Sequence, residues 1–247
     1  MTLFRLSTEQ DTTKKLELTN KGFAMAPVGL VLFALSITFA GIDWIMALDP
    51  LWFSTMWGVQ IFSGAVVAMF AMVTMTALLL KNKKLVGDEI NVEHFHDLGK
   101  LQFGFNIFWA YITFSQFFLI WYSNIPEETT FYTRRWHAFE HSWQGLSWAL
   151  FVGHFVVPFA ILLSRNVKRR LNLLPIGCAI ILVMHFAELY WLVLPTIGPL
   201  SISWIDFACF FGIGGAYLAI VFRTMTRNPV IPVGDPRLPR ALHFEQA

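Results

Sequence analysis

Three side chains in this sequence combine a type and a spacing that suit proton chemistry. His185 and Glu188 sit in LLPIGCAIILVMHFAELYWLVLP, residues 173–195. Three positions apart, they share one face of a helix. His154 lies in another apolar run, at a similar depth. An ionisable group in the middle of a bilayer costs about 2.5–3.5 kcal/mol on insertion scales, so such groups face a bundle interior and mark ion or proton routes. Histidine and glutamate suit that work because modest shifts bring both near neutral pH.

Other polar residues line up with these three. Glu140, Gln144, Ser147 and His154 recur at steps of 4, 3 and 7, which makes one helical stripe. Gln102, Asn106, Thr113, Gln116 and Ser123 do the same at steps of 4, 7, 3 and 7. This second stripe also suits hydrogen bonding between helices. Asp43 lies just inside the end of an apolar run, and Asp206 opens another. Asp49, before Pro50, suits a cap on the turn between two helices. The pattern predicts a proton half-path with His154, His185 and Glu188 at its inner end. Gln144 and Gln116 would act as relays, with Asp43 and Asp206 towards the outer surface.

His94 and His96, and His137 and His141 with Glu140, fall in polar connections and read as solvated loop residues, so no metal site is assigned. Cys178 and Cys209 form no metal, haem or disulfide spacing and read as small buried core residues. No catalytic residue is assigned.

The elements that must position these groups are transmembrane helices. Of 247 residues, 56% are apolar and 14% charged, against about a quarter charged in a soluble domain. Six runs are long enough to cross a bilayer: Phe23–Leu48, Phe53–Leu80, Leu101–Ser123, Trp143–Ser164, Leu171–Leu194 and Ile205–Arg223. The expected fold is therefore all-α, a polytopic membrane bundle of six helices. Residues 1–22 form an N-terminal segment without a signal-peptide core, residues 23–225 a four-helix bundle plus two helices, and residues 226–247 a Pro-rich tail. That tail, NPVIPVGDPRLPR, reads as an extended arm able to lie along a partner. Sixteen of the 18 Lys and Arg fall in the termini and in the loops after the second and fourth spans. Arg134 and Arg135 are the exceptions. The positive-inside rule then makes both termini cytoplasmic.

The matched depth of His154 and His185 also fits a haem b cytochrome, although a two-haem bundle needs a second deep pair. A secondary transporter is the third class, but broken helices and inverted repeats are not evident.

The strings LDPLWFSTMWGVQIF, DLGKLQFGFNIFWAYITFSQFFLIWYSNIPEET and HFAELYWLVLP resemble the ActF subunit of bacterial alternative complex III, within the NrfD/polysulfide-reductase membrane-subunit family. The resemblance covers about residues 15–225. It implies an integral subunit of a quinol:cytochrome c oxidoreductase in the bacterial inner membrane, with no redox chemistry and no bound cofactor of its own. Quinone or quinol would meet its surface. Haem c and iron–sulfur clusters would belong to partner subunits. The implied partners are a homologous NrfD-like subunit (ActC), an iron–sulfur subunit, cytochrome c subunits, a terminal oxidase and membrane lipid, with no nucleic acid. Family members have about ten spans. The six here correspond to the second bundle and the final pair, so a further chain supplying a first bundle is expected.

Overall fold

The computed structural model describes residues 2–87 and 89–242, and the backbone but not the side chain of Glu140. The stripe position assigned to Glu140, His243 in the tail and the tail's last residues therefore lie outside the described side chains. The described chain is 80% helical, without strands. Six of its helices are long and apolar enough to span a membrane, which makes this a multi-pass membrane protein.

In chain order the helices are α1 (Thr2–Thr13), α2 (Leu16–Trp44), α3 (Trp57–Asn82), α4 (Val92–Ser123) and α5 (Pro126–Trp136). They continue with α6 (Gln144–Leu150), a π-helical turn (Phe151–Val156), α7 (Val157–Leu163), α8 (Arg165–Arg169), α9 (Leu174–Val193), α10 (Trp204–Arg227) and α11 (Leu238–Leu242). The fourth span is thus α6, the π turn and α7 in succession.

Several boundaries differ from the sequence expectation, each for a local reason. α4 begins nine residues before Leu101, because Asn91 caps it: its side-chain oxygen accepts from the backbone N–H of Glu93 and His94. α2 begins at Leu16, so the N-terminal polar segment runs into the first span. The expected loop 124–142 is largely helical. Asn124, in the left-handed conformation, ends α4, and Pro126 starts α5 at a position where its missing N–H costs nothing. Acids in the first turn of α5 and arginines in its last suit the helix dipole.

α3, α4, the α6–α7 span and α9 pack together as a four-helix bundle. One core cluster centres on Val67, Ala71, Leu162 and Ile181. A second, nearer α5, is built on Trp52, Trp57, Trp143 and Trp191. The tryptophans are buried with their N–H satisfied: Trp57 donates to the Gly41 carbonyl at 2.9 Å and Trp143 to that of Gly198 at 3.0 Å. α2 leans on α3. α10 buries no residue and touches the bundle through Phe210 on Phe186, ring centres 4.8 Å apart. Cys209, expected in the core, is therefore exposed, whereas Cys178 is buried.

The Pro-rich arm lies back on the chain itself. The Gly234 N–H donates to Asp11 Oδ1 at 3.0 Å and Arg237 Nη2 to Asn20 Oδ1 at 3.0 Å, so the two terminal segments meet at one end of the bundle.

Candidate functional site: a buried carboxylate between two histidines

The site sits where α3, α4, the π turn and α9 converge. α9 contributes His185 and Glu188, one turn apart as their spacing requires. Glu188 is buried, and its two oxygens do different work. Oε1 accepts from the Trp109 indole N–H of α4 at 2.8 Å. Oε2 lies 3.0 Å from His185 Nδ1 and 3.7 Å from His154 Nε2. The first distance is a hydrogen bond and the second a close contact. An ionised carboxylate only accepts, so Nδ1 of His185 donates to it.

His154 comes from the π turn. Pro158 has no N–H to offer the His154 carbonyl four residues earlier. The helix widens there instead, with the Val157 N–H reaching the carbonyl of Val152. The His154 ring is fully buried, its centre 3.8 Å from that of Trp109, and neither ring nitrogen has a hydrogen-bond partner. Two glycines make the approach possible. A Cβ on Gly64 of α3 would stand 3.0 Å from His185 Cε1 and 3.3 Å from Glu188 Oε2. One on Gly153 would stand 2.7 Å from Met184 Sδ.

A cleft of about 870 Å³ runs from Glu188 towards α5. That is the size of a small-molecule site. Its walls are aromatic, including Trp109, Tyr111, Phe114, Trp148 and Phe151. Tyr111, Phe114, Trp148 and Phe151 are exposed on the bundle surface, so the cleft opens sideways where acyl chains would lie. Polar groups line the route: Gln60, Thr113 and Ser147, the last accepting from the Trp191 indole N–H at 2.8 Å. Gln60 Oε1 and Thr113 Oγ1 are buried without a protein partner, as are both side-chain polar atoms of Asn106. A buried polar atom left unpaired costs about 1–3 kcal/mol, so these positions suit water or a polar ligand.

At the α5 end of the cleft Arg135 is buried. Its guanidinium donates to the carbonyls of Trp191, Leu192 and Phe131 at 2.9, 3.0 and 2.8 Å, and lies 3.3 Å over the Phe131 ring. Burial pulls its pKa down to about 9, which leaves it charged at neutral pH. Its neighbour Arg134 pairs with Asp49 at 2.7 Å. Asp49 thus ties α5 to the α2–α3 connection rather than capping the turn into α3.

The structure brings His154, His185 and Glu188 together as expected. Gln116 is buried on the same side of α4 and accepts from Ser54 Oγ at 3.3 Å. Gln144 stands half-buried at the start of α6, and among the described residues no hydrogen bond joins it to the cluster. Asp206 is half-buried and caps α10, accepting from the Ser203 N–H at 2.7 Å. Asp43 is exposed on α2 and lies outside the cluster. Gln102 does what its stripe suggested, donating to the Val67 carbonyl at 3.1 Å across the α3–α4 interface.

Trp109, Gln60, Gly64 and Arg135 escaped the sequence reading. Trp109 had a signal, because it stands three residues after Asn106 and four before Thr113, on the polar stripe itself. Arg135 had none beyond its charge. No protein-family model matches the chain, and no curated protein matches it.

Proposed function

We propose that this chain is an integral subunit of a quinol-oxidising respiratory complex of the alternative complex III kind, set in the bacterial inner membrane. It takes up protons released by quinol and passes them outward, without a redox group of its own. The observation that carries this reading is the Glu188–His185–His154 cluster, whose Glu188 lines a lipid-accessible aromatic cleft. Oxidation of a quinol to a quinone releases two electrons and two protons. In an apolar setting those protons need a basic group held ready. Glu188 supplies one, with a histidine on either side to take the proton onward. Thr113, Gln60 and Gln116 offer polar stepping points from there towards the α5 end of the bundle, the outer end if the positive-inside rule holds for this chain.

The quoted strings support the same reading and the partners that go with it. These are an ActC-like membrane subunit, an iron–sulfur subunit and cytochromes c to carry the electrons, and a chain supplying the first helix bundle. A haem b reading has less support. The Glu188 carboxylate stands between the two imidazoles, and the Gly64 backbone closes on them, where a macrocycle would need room. A transporter reading has less support as well, since the deep interruption of the fourth span is a π turn of 6 residues and not an unwound segment.

The test is Glu188→Gln in the assembled complex, with quinol:cytochrome c turnover and proton release measured together. Positioned acid–base groups contribute about 10²–10⁴ in rate, so turnover should fall at least about 10²-fold. Wild-type values for both would reduce the cluster to a structural hydrogen-bond knot.

A further inference from the structure

We propose that His154, His185 and Glu188 also form a reversible site for a divalent transition-metal ion, Zn²⁺, at the Glu188 end of the cleft. The donor atoms of the three side chains all lie within 4.8 Å of one another. Two imidazoles and a carboxylate are a donor set that zinc takes with its fourth position open. Zinc sits about 2.0–2.2 Å from such donors, so one ion reaches atoms up to about 4 Å apart. Glu188 Oε2 meets that limit with both histidines, at 3.0 and 3.7 Å, and the two imidazole nitrogens, within 4.8 Å of each other, would close in on the ion by less than an ångström.

A second, independent observation comes from His154. Its ring is fully buried, yet neither nitrogen has a partner, and Nε2 is aimed at the carboxylate. A desolvated imidazole lone pair with no hydrogen bond is the state a metal stabilises most. The surroundings also suit an ion. The Trp109 N–H on Oε1 is an outer-shell donor that fixes the carboxylate and leaves Oε2 for the metal. Gly64 leaves the space beside Oε2 and the His185 ring clear of a Cβ. Gln60 is one turn along α3 from Gly64 and also lines the cleft. It holds a buried oxygen without a partner on the approach. The nitrogen donors select against Mg²⁺ and Ca²⁺, which prefer oxygen.

Zinc and protons then compete for the same lone pairs, so zinc binds more weakly as pH is lowered. Bound zinc would also hold Glu188 out of proton traffic. That inhibition rests on the proton-path reading; the binding does not.

The experiment is calorimetric titration of Zn²⁺ into the purified full chain in detergent, after chelator treatment. One ion should bind per chain, with no competition from equimolar Mg²⁺. His154→Gln and Glu188→Gln should each weaken binding by at least about tenfold. Trp109→Phe keeps all three ligands and removes the outer-shell donor, and should weaken it about tenfold. His94→Asn/His96→Asn, which the structure places in the first turns of α4 and not in a loop, should leave it unchanged. Thermal unfolding of each variant separates a lost site from a lost fold. Zinc affinity equal in wild type, His154→Gln and Glu188→Gln would overturn the proposal, as would binding abolished by His94→Asn/His96→Asn. The two readings fail separately. Undiminished quinol turnover in Glu188→Gln removes the proton path and leaves the metal site standing. A zinc titration without binding removes only the metal site.

Discussion

Glu188 divides its two oxygens between a fixed partner and exchangeable ones. Oε1 is held by an indole N–H that cannot accept a proton, which leaves Oε2 as the oxygen facing the two histidines. The alignment depends on Gly64. Gly64→Ala would insert a methyl group 3.0 Å from His185 and 3.3 Å from Glu188 Oε2, displacing the pair by a fraction of an ångström. Misplacements on that scale cost up to about 10²-fold in rate, so quinol turnover should drop about tenfold or more while the melting temperature moves by a few degrees. Full turnover in Gly64→Ala would show that the spacing of this pair is not rate-determining. Arg135 shows a residue with the opposite profile. Its three carbonyl partners would be left with one or none in Arg135→Gln, and hydrogen bonds to charged groups contribute about 1.5–3 kcal/mol each. The expected outcome is a stability loss of about 3 kcal/mol or more in thermal or denaturant unfolding. Because Arg135 reaches the carbonyls ending α9, that loss should come with a loosened α5.

The π turn is what turns His154 towards Glu188. A π turn is an α-helix with one residue too many, so deleting Val152 should restore α geometry across Phe151–Val156. The helices before and after the turn then keep their register, and His154, inside it, is re-aimed by some tens of degrees. The Ser147–Trp191 bond should persist while the His154–Glu188 contact is given up. The variant should still insert and assemble, yet lose proton release and zinc binding. A deletion variant with unchanged turnover would show that the π turn does not set the chemistry. This element marks the limit of sequence reading. The steps of 4, 3 and 7 from Glu140 to His154 were counted as a regular helix, although Pro158 four residues after His154 was a visible sign that the ladder would open there. The short helix α5 carries the same kind of local signal, in Asn124, Pro126, two acids and two arginines in order, although a run this polar and this short does not count as a span. The pairing of His154 with Glu188 was legible from depth alone. The role of Trp109 was not, since an indole among 10 tryptophans in a membrane chain is ordinarily a belt or core residue.

At the scale of the whole molecule the six-span count was fully legible, because span length and apolar content are set by the bilayer itself. The packing of the spans was not, because lipid-facing and partner-facing surfaces are equally apolar. α2 and α10 are nearly bare on the bundle, while α3, α4, α6–α7 and α9 enclose the site. What the site can do depends on which way this bundle crosses the membrane. Lys81 lies in the last turn of α3 and Lys83 and Lys84 just after it, and Lys168, Arg169 and Arg170 follow α7, all away from α5. Lys168 is partly buried over Phe103, its ammonium 5.1 Å from the ring centre, and burial lowers its pKa. If this basic end faces the cytoplasm, the cleft opens in the outer half of the bilayer and protons from Glu188 leave outward. Replacing Cys178 by Ala and Cys209 by Ser removes both native thiols. A single exposed cysteine is then introduced, as Thr130→Cys on α5 or Lys83→Cys after α3. A membrane-impermeant maleimide added to intact spheroplasts should label Thr130→Cys. Lys83→Cys should label only after the membrane is opened. The reverse pattern would turn the cleft towards the cytoplasm. Outward proton release would then be impossible by this route, even with the cluster intact, because the buried polar side chains between Glu188 and the α5 end would lead to the wrong compartment.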